Sequence, residues 1–249
     1  MNAIILAAGE GKRLRPITND KPKSLVKLFG KTLLEWQLSI FQKCGIDDIC
    51  VVTGYNSQLI NYPGLDYIKN NNFMNTNMME SLFCASEKLS DSVIISYTDI
   101  IFEQKMIQQI LQFSGDIGIA VNLNWKKNYG GRTLHPLSEA ENVLIKNEKI
   151  IQIKKDISEK SSGQKIGEFL GIIKLRNIST VILQKHLQQL RKIHKGKFHD
   201  AKSFELAKLM DFLQDLVESK VEINPIFVDG KWCEIDTPKD LELARKQFL

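Results

Sequence analysis

Short apolar runs alternate with longer stretches of helical period through the first half of the chain. Residues 3–6, 49–53, 93–97 and 117–123 are near-continuous apolar runs, the pattern of strands buried on both faces. Between them, residues 31–43, 78–88 and 106–113 read as helices, and the first stops at Gly45. This βαβ rhythm predicts an α/β fold, a three-layer α/β/α Rossmann-like domain with a mostly parallel central sheet. The middle of the chain differs. Residues 143–145 and 150–153 flank a polar Lys-Asn-Glu-Lys and predict a hairpin; 159–165 reads as a flexible polar loop and 169–174 as a further strand. Residues 124–175 thus form a small antiparallel elaboration within a single domain spanning 1–249. Helices follow at 180–194 and 202–219, then a strand at 221–228 and a last helix from Pro238.

Composition narrows the class. At 43% apolar and 25% charged residues over 249 positions, the chain can bury a large core. No apolar run reaches the length of a membrane span, and the N-terminus lacks a signal-peptide pattern, so a cytoplasmic protein is expected. The four cysteines form no Cys-x-x-Cys pair, which argues against zinc and against a disulfide framework. A net charge of +5 without a long basic run suits small anionic substrates and not nucleic acid.

The first strand runs into Leu6-Ala-Ala-Gly9-Glu-Gly11-Lys12-Arg13-Leu-Arg-Pro-Ile-Thr18, then Lys21-Pro-Lys23-Ser-Leu25. Gly9 and Gly11 let the backbone approach a ligand, and freed amides in such a loop form a nest for anions. Five cations follow within twelve residues, Lys12, Arg13, Arg15, Lys21 and Lys23, so the loop suits a ligand with several phosphates. A strand ending in Asp99 and the segment Trp232-Cys-Glu-Ile-Asp236-Thr-Pro-Lys-Asp240-Leu add carboxylates. Asp99 is either a free acid at the sheet's ligand edge or a helix N-cap. Thr237 as N-cap, Pro238 at the first helical position and Asp240 make a capping pattern that leaves Asp236 free.

The stretch from Ala3 to Leu25 resembles the signature of nucleotidyltransferases that join an NTP to a phosphorylated small molecule. These include sugar-1-phosphate nucleotidyltransferases and phosphocholine-type or aminoethylphosphonate cytidylyltransferases. The resemblance implies that Arg13 contacts the leaving phosphates, that Lys23 reaches the α-phosphate and the acceptor phosphate, and that Asp99 and Asp236 hold Mg²⁺. Lys12 stands where the family often has a small hydroxyl residue, and Thr98 where it often has Gly or Ala. The backbone at Leu6, Ala8, Gly9 and Gly11, with Gly54 and Tyr55, is implied to line the nucleotide. Asn75 to Leu82 resembles the Asn-x-x-Ser-Leu stretch of the phosphocholine branch and brings in Asn77 and Ser81, although Asn77 and Glu80 are also spaced as a capping box.

Such a reaction attacks the α-phosphorus of an NTP with an oxygen already anionic near neutral pH, so no general base is needed. The enzyme must align two charged reactants and neutralise developing charge. Acceptor recognition is expected from the polar and aromatic segment 124–141, naming Trp125, Arg132 and Glu139, together with Glu80 and Glu168. Aromatic faces suit a quaternary ammonium and carboxylates suit an amine. Short length and the lack of a downstream Glu-Lys-Pro element favour the cytidylyl branch, with CTP and a phosphocholine-like acceptor, in a monomer or homodimer making a precursor of cell-surface polysaccharide or phospholipid. The alternatives are a sugar-1-phosphate nucleotidyltransferase and a catalytically silent homologue.

Overall fold

The computed structural model describes residues 1–132, 134–157 and 160–249. In chain order its elements are β1 (Asn2–Ala7), β2 (Lys27–Leu28), β3 (Lys31–Thr32), α1 (Leu33–Lys43), β4 (Ile49–Thr53), β5 (Asp66–Lys69), α2 (Met78–Cys84), β6 (Ser92–Tyr97), β7 (Ile100–Phe102), α3 (Gln104–Gln112), β8 (Ile117–Asn122), β9 (Glu141–Lys146), β10 (Lys149–Lys155), β11 (Gln164–Arg176), α4 (Ile178–Ile193), α5 (Leu209–Glu218), β12 (Asn224–Phe227), β13 (Trp232–Glu234) and α6 (Pro238–Phe248).

Local chemistry sets several boundaries. Thr32 and Glu35 cap α1 reciprocally, so the helix starts at Leu33 and not at Lys31. At α5, Asp211 Oδ2 accepts from the Lys208 amide at 2.8 Å, and the helix begins there instead of at 202. The helix expected over 78–88 ends at Cys84 and gives way to a 3₁₀ turn. The loop expected at 159–165 starts outside the described residues, and from Gln164 onward it is already strand β11.

The architecture is α/β/α. β5, β4, β1 and β6 lie side by side and parallel. Their carboxyl ends share one edge of the sheet, where ligands of such folds bind. The glycine loop after β1 and the Asp99 turn after β6 both emerge there. β11 then joins antiparallel to β6. It is long enough to serve two neighbours on one edge: Gln164–Glu168 pairs with β9 and Ile172–Arg176 with β6, while β8 runs along the opposite edge. β6 and β9 therefore part near Gly171, whose φ is +76° and where a Cβ would meet the Tyr97 ring at 2.7 Å. The antiparallel segment is thus continuous with the central sheet, and a fork opens beside the ligand edge.

A second, smaller core sits under the signature loop. Leu14, Val26 and Leu28 pack there with Ile101, Ile235 and Leu241. Ile101 lies two residues after Asp99, and Ile235 immediately precedes Asp236. Burying each such side chain contributes about 1.5–3 kcal/mol, so this cluster clamps three sequence-distant loops together. The β7–β13 ribbon, unforeseen in the sequence, completes the clamp.

Candidate active site

The ribbon decides where the carboxylates meet. β7 and β13 pair antiparallel, Ile100 opposite Glu234, and the Ile235 amide donates to the Asp99 carbonyl at 2.8 Å. Asp99 and Asp236 thereby face each other across one ammonium. Lys23 Nζ donates to Asp99 Oδ2 at 2.6 Å and also to Asp236 Oδ1. Arg13 donates to the other Asp236 oxygen at 2.6 Å. Burial opposes the charge on Lys23, but Asp99, Asp236 and Glu234 outweigh it and push its pKa above the ordinary value. Asp236 is also buried, yet Lys23 and then His135 and Arg13 hold its carboxyl well below the usual range. Glu234, buried beside Asp236 and Asp99, is pushed the other way.

The turn bearing Asp99 is held from below. Gln37, fully buried on α1, donates to the carbonyls of Tyr97 and Ile100, both at 2.7 Å, and accepts from Ser96 Oγ at 3.0 Å. Asp99 Oδ1 and Thr98 Oγ1 are buried without a partner among the described residues. In the glycine loop Gly11 has φ +67°, and a Cβ there would lie 2.9 Å from Lys23 Cβ, so only glycine lets the lysine stem pass. Thr18 Oγ1 closes the loop by donating to the Gly11 carbonyl at 2.7 Å.

Three connected cavities surround this centre. A cleft of about 1110 Å³ runs along Gly9–Arg13, Lys23, Asp99 and Asp236. On one side a cavity of about 510 Å³ is lined by Leu6, Ala8, Gly9, Phe73, Asn77 and Ser81. Asn70 shapes its floor by donating to Thr76 Oγ1 at 3.1 Å and Ser81 Oγ at 3.2 Å. Gly54 lies against it, since a Cβ there would stand 2.7 Å from the Ala8 carbonyl. On the other side the cleft ends in a pocket at the fork between β6 and β9. Tyr97, Tyr129, Glu141, Glu168 and Lys208 line it. Tyr129 donates to Glu168 Oε1, and Glu168 Oε2 is buried with no partner among the described residues. Burial pushes the Glu168 carboxyl up to about 7, against the opposing pull of Tyr129 and Arg132. Glu141, likewise raised by burial, accepts from Tyr97 at 3.1 Å and lies 3.7 Å from Lys208 Nζ.

The sequence has clear relatives among nucleotidyltransferases. A model of the MobA-like NTP transferase domain matches residues 3–160, more than half of the chain. The chain belongs to the MobA-like NTP transferase family. It is 32% identical to a CTP:phosphoglutamine cytidylyltransferase of Campylobacter jejuni, with 98% of each chain covered. Over 41% of its length it is 36% identical to a choline-phosphate cytidylyltransferase of Streptococcus pneumoniae, covering 47% of that protein. Bifunctional GlmU of Methanococcus maripaludis matches the whole chain at 26% identity over 54% of its own length. Among solved structures, a CTP:phosphocholine cytidylyltransferase of S. pneumoniae superposes over 100% of this chain and 99% of its own with a TM-score of 0.76 at 20% identity. An inositol-1-phosphate CTP transferase of T. maritima covers 98% of this chain and 95% of its own with a TM-score of 0.73 at 22% identity. At that identity the two structures establish the fold. The chain is a nucleotidyltransferase, and among its described residues no helix is long and apolar enough to cross a membrane.

The transferase brings together most residues singled out in its sequence, with four corrections. Glu80 turns away from the cleft and pairs with Arg191 at 3.2 Å, whose guanidinium stacks on Phe83. No capping box forms there; Asn77 Oδ1 accepts from the Met78 amide at 2.9 Å. Trp125 does not line the acceptor-side pocket but packs edge-on behind Tyr129, ring centroids 5.7 Å apart. Arg132 is not free to grip a ligand carboxylate in that pocket, because buried Asp240 holds it at 2.7 Å and Glu234 at 3.3 Å. Glu139 reaches the pocket rim while paired with Lys155. Tyr55 donates to the Asn19 carbonyl at 2.9 Å and packs on Phe73. Lys12 stands exposed near Glu10 at 3.5 Å. His186 and His199 share Asp215 at 2.6 and 3.1 Å, away from the cleft. Gln37, Asn70, Phe73 and Lys208 carry no sequence signal of their role, since each reaches the site only through tertiary packing. His135, within the segment flagged for the acceptor, instead sits 3.1 Å from Asp236 Oδ2.

Proposed function

We propose that this transferase is a Mg²⁺-dependent cytidylyltransferase, moving CMP from CTP to a small phosphorylated or phosphonylated compound that bears an amino or ammonium group. The acceptor oxygen attacks the α-phosphorus and pyrophosphate leaves. The observation that carries the reading is one cleft with a cationic loop at its centre and an aromatic, carboxylate-lined dead end. Such a site suits a zwitterion with its phosphate toward Lys23 and its cation toward Glu168 and Glu141. The Campylobacter and pneumococcal relatives, named for CTP and for phosphorylated nitrogen compounds, support it.

Within this reading residues 1–249 act as one unit. The cavity at Ala8, Asn77 and Ser81 takes the base. Arg13 steadies the leaving phosphates, and Lys23 the α-phosphate and the acceptor oxygen. The residues fit Mg²⁺: Asp99 and Asp236 already converge on one cation, and Asp99 Oδ1 lacks a partner among the described residues. Hard carboxylate oxygens match that ion, which when bound supplies charge neutralisation on the phosphates. His135, Glu234 and Asp236 also place ligand atoms within 4.8 Å of one another, but an imidazole suits softer metals.

The test is pyrophosphate release across four NTPs against phosphocholine, aminoethylphosphonate, phosphorylated amino compounds and hexose 1-phosphates. CTP with an amino-bearing acceptor is expected to give the highest kcat/KM. Efficient turnover of hexose 1-phosphates, with none of any amino-bearing acceptor, would assign the chain to the sugar-1-phosphate branch.

A further inference from the structure

The centre of the cleft is filled by a side chain. Lys23 is 6% exposed, its stem passes Gly11, and its ammonium lies between Asp99 and Asp236 in contact with both. Glu234 adds a third carboxylate nearby. Without a cation these acids would repel one another in a partly dry site. Lys23 also borders both the base cavity and the phosphate cleft.

We propose that Lys23 is a resident counter-cation: in the unliganded enzyme its ammonium holds the position between Asp99 and Asp236, and it yields that position to a divalent ion only when nucleotide phosphates arrive to receive it. This rests on the reading of Asp99 and Asp236 as the carboxylates that hold Mg²⁺. The physical reason is that an ammonium and a divalent ion cannot both occupy the position between Asp99 Oδ2 and Asp236 Oδ1. A metal arriving alone would displace Lys23 beside Lys12 and Arg13 of the same cleft, with no phosphate there to receive it. A metal arriving with a nucleotide brings the phosphates that take Lys23 in. Metal and nucleotide binding are then positively coupled, and each raises the affinity for the other by the same factor. The exchange also gives Lys23 two stations: a structural one in the resting enzyme and a phosphate-binding one in the loaded enzyme.

Mn²⁺ titrated without nucleotide and followed by electron paramagnetic resonance tests this directly. Lys23→Met is expected to bind Mn²⁺ at least about tenfold more tightly than wild type, because the competing ammonium is gone. Adding Asp99→Asn to that variant should abolish the gain. Equal Mn²⁺ affinity in wild type and Lys23→Met overturns the proposal. Should Lys23→Met fail to fold, wild-type crystals soaked in MnCl₂ alone decide: no anomalous peak between Asp99 and Asp236 is expected, and a peak there refutes the exchange. Neither measurement involves nucleotide or turnover. Loss of the cytidylyltransferase reading would appear instead as a lack of CTP-dependent pyrophosphate release.

Discussion

The two sides of the cleft are built in different ways. The nucleotide side draws its base cavity and its carboxylates from distant segments, but its phosphate-facing part is local. Gly9 to Leu25 supplies its loop, both cations and the glycines that make room for them, and the small core under Leu14 and Val26 holds it in place. The acceptor side is assembled from Tyr97, Tyr129, Glu141, Glu168 and Lys208, drawn from four strands or loops and the start of a helix, with its acids raised by burial. The local side meets phosphates, which every substrate of such an enzyme carries. In the proposed reading the assembled side meets the part of the acceptor that varies. Phosphate contacts therefore rest largely on short-range geometry, and in the proposed reading selectivity rests on how the fork between β6 and β9 is lined.

The largest effects should come from the nucleotide side and fall on turnover. Asp236→Asn and Arg13→Ala are each expected to lower kcat by about 10²–10³, on the order of 3 kcal/mol, with little change in the Michaelis constant for CTP. Stopped pyrophosphate assays read this, and near-normal kcat in either variant would break the assignment.

A smaller loss is expected where the Asp99 turn is supported. Gln37→Leu leaves the Tyr97 and Ile100 carbonyls without their donor, so stability should fall by about 1–3 kcal/mol and kcat should drop with it. Denaturant unfolding alongside kinetics checks this; unchanged stability would mean that the turn holds itself.

On the acceptor side the effect should move to binding. Glu168→Gln is expected to raise the acceptor Michaelis constant at least about tenfold at pH 8 while sparing that of CTP. In wild type the same constant should fall as pH rises through about 7, where Glu168 ionises, and the variant should lose that dependence. The sign for stability is opposite. A carboxyl raised from 4.5 to about 7 favours the fold when protonated, and that contribution is lost as pH climbs between those values. Glu168→Gln should therefore gain stability on wild type from pH 5 to pH 8, approaching about 3 kcal/mol. A flat acceptor profile in wild type would place the cation elsewhere.

The smallest effect sharpens the boundary between the two sides. Glu80→Ala removes a half-exposed pair with Arg191 outside the cleft, so both Michaelis constants should stay within about twofold. A selective loss of acceptor binding would show that Glu80 reaches the pocket after all.

By itself the sequence determined what could be written in neighbouring residues. Buried strands read as apolar runs because both their faces are covered, so β1, β4, β6 and β8 stand out with little error at their ends. The loop from Gly9 to Lys23 and the Thr237–Asp240 cap are likewise legible, because glycine geometry and reciprocal capping act within a few residues. Only the tertiary structure decided the rest. The β5, β7 and β13 strands are too short to show a period, yet the β7–β13 pairing is what sets Asp99 against Asp236. Gln37, Asn70 and Lys208 acquire their roles from neighbours far away in the chain. Glu80, Trp125 and Arg132 have the composition of an acceptor site but are turned to Arg191, to the back of Tyr129 and to Asp240. A residue's type states what it can bind. Which partner it meets depends on contacts between segments brought together by burial, and one sequence alone does not encode those as a local pattern.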